Sequence, residues 1–301
     1  EFFESKTKFL EKFSSHLPLD LKPNSIYVPK IIEKPIKNIG KVAVIIPTKN
    51  KSEMVTECVE SFFEHCNPDI FDIFIADTGS DENEKNTIKL LSEKYNNVSV
   101  IEYDYYNFAK INNDVVNNHI GGEYTYLLFC NNDVKILNNV IYGMLRVFKT
   151  QNKVGTVGCR LHFGDKTIQH DGVELIITPN KQLHITHSNI KSYYSFTPYL
   201  KEVVGSTAAL LMIGVNTFKL CGGFNENYIN CFEDVELNLR CVTMGFKNYY
   251  DGSLVAYHYE SQTRNEDSEN ISKLQQDFRE RLFPYIQNNE RKLSQYFNFI
   301  K

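Results

Sequence analysis

The sequence predicts an α/β protein built on a doubly wound, mostly parallel sheet. Three observations predict it. The runs KVAVIIP, IFDIFIAD and YTYLLFC are continuously apolar, as strands covered on both faces are. Helical periodicities separate them, so strand and helix alternate four times in the first half of the chain. The runs also close on small polar residues, and in such sheets ligands bind beyond the carboxyl ends of the strands.

The elements follow in order. Residues 1–40 read as an appendage: Phe3, Phe9, Leu10 and Phe13 have helical spacing over 2–16, and Pro18, Pro23, Pro29 and Pro35 interrupt regular structure up to Gly40. The main body opens with the strand at 41–47. A helix over 54–64 sets Val55, Cys58, Val59, Phe62 and Phe63 on one side. Next come a strand ending at Asp77, a helix over 84–95, the strand VSVIEYD, a helix over 109–119 and the strand YTYLLFC. Residues 155–215 alternate short β-like runs with polar turns, which predicts mixed or antiparallel strands. A helix over 233–244 opens on acidic residues and is ended by Gly245. Residues 268–300 read as helical with one break at Pro284. The expected division is 1–40 helix and linker, 41–264 main domain, and 265–301 helical extension.

Composition excludes several classes. The 301 residues carry a net charge of −4 and are 42% hydrophobic, which suits a globular body and gives no basic stripe for nucleic acid. No apolar run is long enough to span a bilayer. The seven cysteines are scattered without a CxxC pair and are expected to be reduced thiols of a cytoplasmic protein. Cys221, Cys231 and Cys241 lack the tight pair that nucleates a zinc site. His162, His170, His184 and His187 have no chelating spacing and are expected on the surface or in an acceptor loop. The chain begins with Glu1, which is expected of a segment cut from a longer protein.

The chemistry sits at the strand ends. The first strand ends in PTKN and the second in ADTGSD. Neither GxGxxG nor GxxxxGK[ST] is present, which argues against a dinucleotide-binding oxidoreductase and a P-loop protein. The strand YLLFC stops on Asn131, Asn132 and Asp133. Such a triplet either turns the chain or offers oxygen atoms to a hard cation that shares its ligands with a phosphate group.

Two later stretches, GGFNENY with CFEDVELNLR and then AYHYES, complete a pattern. In order along the chain, VAVIIPTKN, ADTGS, YNFAKINN, LLFCNND, QHDGV, GGFNE, FEDVELNLR and YHYES resemble a family 2 glycosyltransferase with the GT-A fold, from about residue 41 to 264. The resemblance implies transfer of a sugar, with inversion, from a nucleotide-diphosphate donor to an acceptor hydroxyl. It implies Asp234 as general base, with Glu233 beside it as an acceptor contact or a cap. The family's DxD triplet maps to Asn131, Asn132 and Asp133, which leaves Asp133 as its one carboxylate, and His258 maps to a histidine that completes the metal site. An imidazole ligand tilts preference towards Mn²⁺ over Mg²⁺. Pro47, Thr48, Asn50, Asp77 and Lys110 map to the nucleotide cradle together with Asn131 and Asn132. Asn112 and Asn113 lie in the same stretch as Lys110. Gly222, Gly223 and Phe224 map to a loop beneath the donor sugar and acceptor.

The expected partners are a nucleotide-sugar donor, UDP-linked before dTDP- or GDP-linked, and a glycan or lipid-linked glycan acceptor. Other domains of a longer polypeptide are a further expectation. The abundance of Asn, Lys and Ile suits an AT-rich bacterial genome, hence capsule or lipopolysaccharide synthesis. The body is expected in the cytoplasm, and an apolar stripe of Phe278, Leu282, Tyr285 and Ile286 raises peripheral docking at the inner membrane face. The competing reading is a non-catalytic GT-A module of a larger synthase that binds a glycan or partner.

Overall fold

A computed structural model describes residues 25–36, 39–228, 231–259 and 268–299. The helix expected over 2–16 lies outside these residues, as do Glu260 and Ser261 of the YHYES stretch.

The first half winds as its periodicities require. Strands β1 (Lys41–Thr48), β2 (Phe71–Asp77), β3 (Val98–Glu102) and β4 (Tyr124–Cys130) alternate with helices α1 (Ser52–His65), α2 (Glu82–Lys94) and α3 (Phe108–Asn118). They pair in parallel in the order β3-β2-β1-β4. Every residue of β1 after Lys41 is buried, because both sheet faces are covered. Val42, Val44 and Ile46 face α1, α2 and α4 (Val140–Thr150). Ala43 and Ile45 face α3 and two later helices, α5 (Val215–Leu220) and α6 (Glu233–Thr243). The period-two alternation of a strand thus divides one apolar run between two cores.

The second half extends the same sheet with reversed strands. Strand β5 (Val134–Ile136) follows β4 after a turn. Strands β6 (Val154–His162), β7 (Ile168–His170), β8 (Val173–Ile177), β9 (Leu183–His187), β10 (Leu200–Val203), β11 (Leu210–Gly214) and β12 (Lys247–His258) then follow. β11 lies antiparallel between β4 and β6, and β12 continues beyond β6 towards β10. Strands β8 and β9 form a separate hairpin. The periodicity reading omits α4, whose residues are buried all around except Arg146 and the last turn, so they carry no one-sided apolar stripe.

The carboxy-terminal expectation needs correction. Helix α7 (Ser268–Asp277) passes into a π-helical turn (Phe278–Leu282), then α8 (Phe283–Asn288) and α9 (Glu290–Leu293), and the chain reaches a strand, β13 (Phe297–Phe299). Pro284 is no break: it stands in the first turn of α8, where a missing N–H costs nothing. β13 pairs in parallel with β8, Phe297 opposite Leu175. Leu282, Ile286 and Leu293 pack with Val235 and Leu239 of α6 and with Val173 and Leu175 of β8, so the stripe faces the body.

The histidine expectation is also corrected for two positions: His162 and His170 are buried in β6 and β7, and only His184 is exposed. All seven cysteines are free thiols, with the Sγ atoms of Cys221 and Cys241 3.6 Å apart in the core.

Phe129 joins the sheet to the α5 helix and the loop after it. It is fully buried, with ring centroids 5.1 Å from Phe218 and 4.7 Å from Phe224. Phe129→Ala should lower the unfolding free energy by about 3–5 kcal/mol, read from the urea midpoint.

Candidate active site

In the order β3-β2-β1-β4 the chain winds outwards from β1 to β3 with α1 and α2 on one face, then crosses back to β4 on the other side of β1 through α3 on the opposite face, so the strand order reverses between β1 and β4. A crevice opens at such a switch point. The residues that end these two strands, Thr48 and Asn131, Asn132 and Asp133, meet there: Asn132 Nδ2 donates to Thr48 Oγ1 at 2.9 Å. The triplet is also a turn, because Val134 N donates to Asn131 O at 3.3 Å and the chain re-enters the sheet as β5.

β5 decides which residue faces the triplet. It pairs antiparallel with the end of β12, placing Val134 opposite His258. His258 Nε2 consequently stands 3.2 Å from Asp133 Oδ1 and 3.1 Å from Asn131 Nδ2. Behind it, His258 Nδ1 meets Gln169 Oε1 at 2.7 Å. One carboxylate oxygen and one imidazole nitrogen at this spacing match neighbouring ligands of an octahedral ion, which stand about 3 Å apart when each lies about 2.1 Å from the metal. Among the described residues no cluster of three or more His, Cys, Asp or Glu side chains gathers, so Asp133 and His258 form a half-site that a phosphate group and water would complete.

A cavity of about 290 Å³ adjoins this half-site. Pro47 and the 131–133 triplet line one end with His258. Thr207, Ala208 and Ala209 at the start of β11 and Glu233 and Asp234 of α6 line another wall, and Ile185, Thr186 and His187 of β9 line the third. Asp234 is held by two backbone donors, Ala208 N to Oδ2 at 2.9 Å and Val235 N to Oδ1 at 2.7 Å. Phe232, two residues before it, has φ 75°, a left-handed conformation that costs a bulky residue of order 1–3 kcal/mol. That conformation turns the first acidic residues of α6 into the cavity. Phe232 is itself braced by Phe278 of the π-helical turn, ring centroids 6.0 Å apart.

The other mapped residues lie around this cavity in different roles. Asn50, at φ 56°, receives Asp81 N on Oδ1 and donates its own N–H to Ser80 Oγ, which ties the β1 loop to the β2 loop. Asp77 is buried and its Oδ1 accepts from Ser80 N and Ser80 Oγ, closing an Asx turn. Lys110 is exposed, with Nζ 4.4 Å from the centre of the Tyr105 ring, and does not line the cavity. Gly222, Gly223 and Phe224 lie one layer below it. Asn113 exchanges two hydrogen bonds with the Phe224 backbone, and a Cβ on Gly223 would come within 2.7 Å of Asn113 Oδ1. Phe224 then packs under Phe108, which does line the cavity. Asn112 is buried within α3.

Sequence reasoning passed over Tyr106, the 207–209 stretch and the β9 wall. The first two carry no charged signature. His187 was visible only as one of four scattered histidines, and Gln169 only as part of QHDGV.

His162 and His170 flank this region inside the sheet. Burial pushes the His162 imidazole down to about 4 and holds His170 well below the ordinary value as well. The unfolded chain therefore binds more protons than the folded one between about pH 6.5 and 4, so stability falls as pH falls through that window. For His162 alone the loss should reach about 3 kcal/mol. Urea unfolding at pH 7.5, 6, 5 and 4 should show it, and His162→Phe should flatten the slope.

Comparison with known proteins bears on the family and the fold. A sequence model described as glycosyl transferase family 2 matches residues 43–206. The O-antigen biosynthesis protein RfbC of Myxococcus xanthus is 26% identical over 79% of this chain, which spans 19% of that protein. The uncharacterized protein y4gI of Sinorhizobium fredii is 26% identical over 77% of this chain, which spans 26% of it. The chain thus covers about a fifth to a quarter of these curated relatives. Two solved structures share the fold. One is GalNAc-T7 with UDP, GalNAc and Mn²⁺, at TM-score 0.63 and 12% identity over 81% of this chain and 49% of that one. The other is the mannosyltransferase PcManGT of Pyrobaculum calidifontis with GDP-Man and Mn²⁺, at TM-score 0.53 and 13% identity over 87% of this chain and 66% of that one.

Proposed function

Because the chain belongs to glycosyl transferase family 2, we propose that it moves a sugar from a nucleotide diphosphate, UDP before other nucleotides, to a hydroxyl of a bacterial surface glycan with inversion at the anomeric carbon. The observation that carries the reading is the meeting of Thr48, Asn132, Asp133 and His258 at the β1/β4 crevice, with Asp234 lining the same cavity as Asp133 and His258. O-antigen biosynthesis in the name of the Myxococcus relative supports the glycan class. The Mn²⁺ in both structural neighbours supports a divalent cation.

The chain's own groups divide the work. Pro47, Thr48, Asn50, Asp77 and Asn132 shape the nucleotide end, with Lys110 at its outer edge. Asp133 Oδ1 and His258 Nε2 would hold a divalent cation, Mn²⁺ before Mg²⁺, which when bound supplies positive charge to the leaving diphosphate. Asp234, fixed by Ala208 N and Val235 N, receives the proton of the acceptor hydroxyl. The acceptor oxygen forms its bond to the anomeric carbon as the bond from that carbon to the diphosphate oxygen breaks. Glu233 lies beside the acceptor, and Gly222, Gly223 and Phe224 support the floor through Phe108. The 25–36 segment and the 268–299 extension frame this domain. Among the described residues no helix is long and apolar enough to cross a membrane, and a lipid-linked acceptor would meet the domain at the membrane surface.

Two measurements test the reading. Calorimetry should find UDP binding that requires a divalent cation, tighter with Mn²⁺ than with Mg²⁺, and is lost in Asp133→Ala; a folded chain that binds no nucleotide with either ion would overturn it. Asp234→Asn should retain that binding while transfer slows by about 10²–10⁴-fold. Unchanged transfer would remove Asp234 from its role.

A further inference from the structure

The QHDGV stretch is the one motif of the sequence that the reaction leaves without a task. Gln169 sits in β7, buried, between two histidines on different walls of the cavity. Its side-chain Nε2 donates to the backbone oxygen of His258 at 3.3 Å. A carbonyl only accepts, so that contact settles which end of the carboxamide is nitrogen and turns Oε1 towards His258 Nδ1, 2.7 Å away. Oε1 also only accepts, so Nδ1 of His258 carries the proton. The same residue's backbone oxygen lies 3.0 Å from His187 Nδ1, and by the same rule Nδ1 of His187 carries its proton. When neutral, both rings therefore keep Nε2 bare.

The rest of the motif holds this arrangement. His170 is buried beside His187, ring centroids 4.6 Å apart, and stays neutral in its desolvated place. Asp171 is fully buried and gathers Asn189, Thr197 and Lys201 around the far side of the turn. Gly172, at φ 97°, lets β7 hand over directly to β8. Val173 then lines the cavity and shares a core with Val235, directly after Asp234. The wall that carries His187 is thereby continuous with the wall that carries Asp234.

We propose that Gln169 is a positioning residue that sets the tautomers of two cavity histidines, and that His187 Nε2 accepts a hydrogen bond from a second hydroxyl of the acceptor sugar while Asp234 meets the reacting one. This rests on the sugar-transfer reading, since it assigns His187 to the acceptor side of that site. It makes His187 a specificity-determining residue: a sugar lacking a hydroxyl at that distance leaves a bare nitrogen unpaired and is disfavoured.

The test begins on the protein alone. Two-bond ¹⁵N–¹H spectra of the ¹⁵N-histidine-labelled full chain at pH 8, assigned with His187→Gln and His258→Gln, should show protonated Nδ1 and bare Nε2 at both positions. This is opposite to the tautomer that free histidine prefers. Gln169→Leu should lose the His258 pattern and weaken Mn²⁺ binding by about 10–100-fold, and Gln169→Glu, which keeps an acceptor oxygen, should restore both. A protonated Nε2 on either ring of the native chain, or a Gln169→Leu chain that binds Mn²⁺ normally, overturns the positioning role. The acceptor role is read on the chain loaded with Mg²⁺ and UDP, by titrating methyl glycosides of glucose, galactose, mannose, rhamnose and N-acetylglucosamine. At least one should shift the His187 Nε2 resonance. If UDP binds and none of the five shifts it, the acceptor role is overturned and the sugar-transfer reading stands. If UDP does not bind, the transfer reading fails, and the tautomer result still decides the role of Gln169.

Discussion

The pairing of β5 with the end of β12 is the constraint on which the site depends. The parallel strands present three small polar residues at the tip of β4, and by themselves these make a turn. Three residues of β5 laid against Ala256, Tyr257 and His258 convert the turn into a candidate half-site, because the register puts an imidazole against a carboxylate across about 125 residues of sequence. A shift of one residue would send that imidazole to the opposite face of the sheet. The hydrogen bond from Tyr259 N to Asp133 O continues the same ladder and locks it.

Around this pairing, each wall of the cavity comes from a different structural principle. One is the gap that a doubly wound sheet opens where its strand order reverses. Another is the first turn of a helix, aimed by a bulky residue held in a left-handed conformation. The third is a hairpin that belongs to no layer of the main sheet. Strain at Phe232 persists because its surroundings over-determine it: α6 is packed on its other side by the carboxy-terminal helices.

Much of the first half was legible from sequence, since β1 to β4 are continuous apolar runs and α1 to α3 have one-sided stripes. Helix α4 was not, because a helix buried on nearly every side has no stripe to read. The end of the chain misled for another reason: Pro284 is a helix breaker in the interior and a helix starter in a first turn, and only the π-helical turn before it tells which. Asp133, Asp234 and His258 stood out as charged or titratable groups in motifs. Gln169 did not, since its importance lies in the direction of one carboxamide, and the buried positions of His162 and His170 follow from strand pairings that local spacing does not encode.

The strand order also bears on how the protein is made. β6 pairs along its length with β11 and β12, both translated later, and at its end with the short β7 that follows it. The β8–β9 hairpin gains its second neighbour only when β13 arrives, some 120 residues after β8 has left the ribosome. During synthesis β1 to β4 therefore assemble with β4 as an unprotected edge, while the apolar strand β6 has only the three-residue β7 beside it. At common elongation rates of about 5–20 residues per second that interval lasts several seconds. The nascent chain is then most exposed to chaperones, and to mispairing with its neighbours on a polysome.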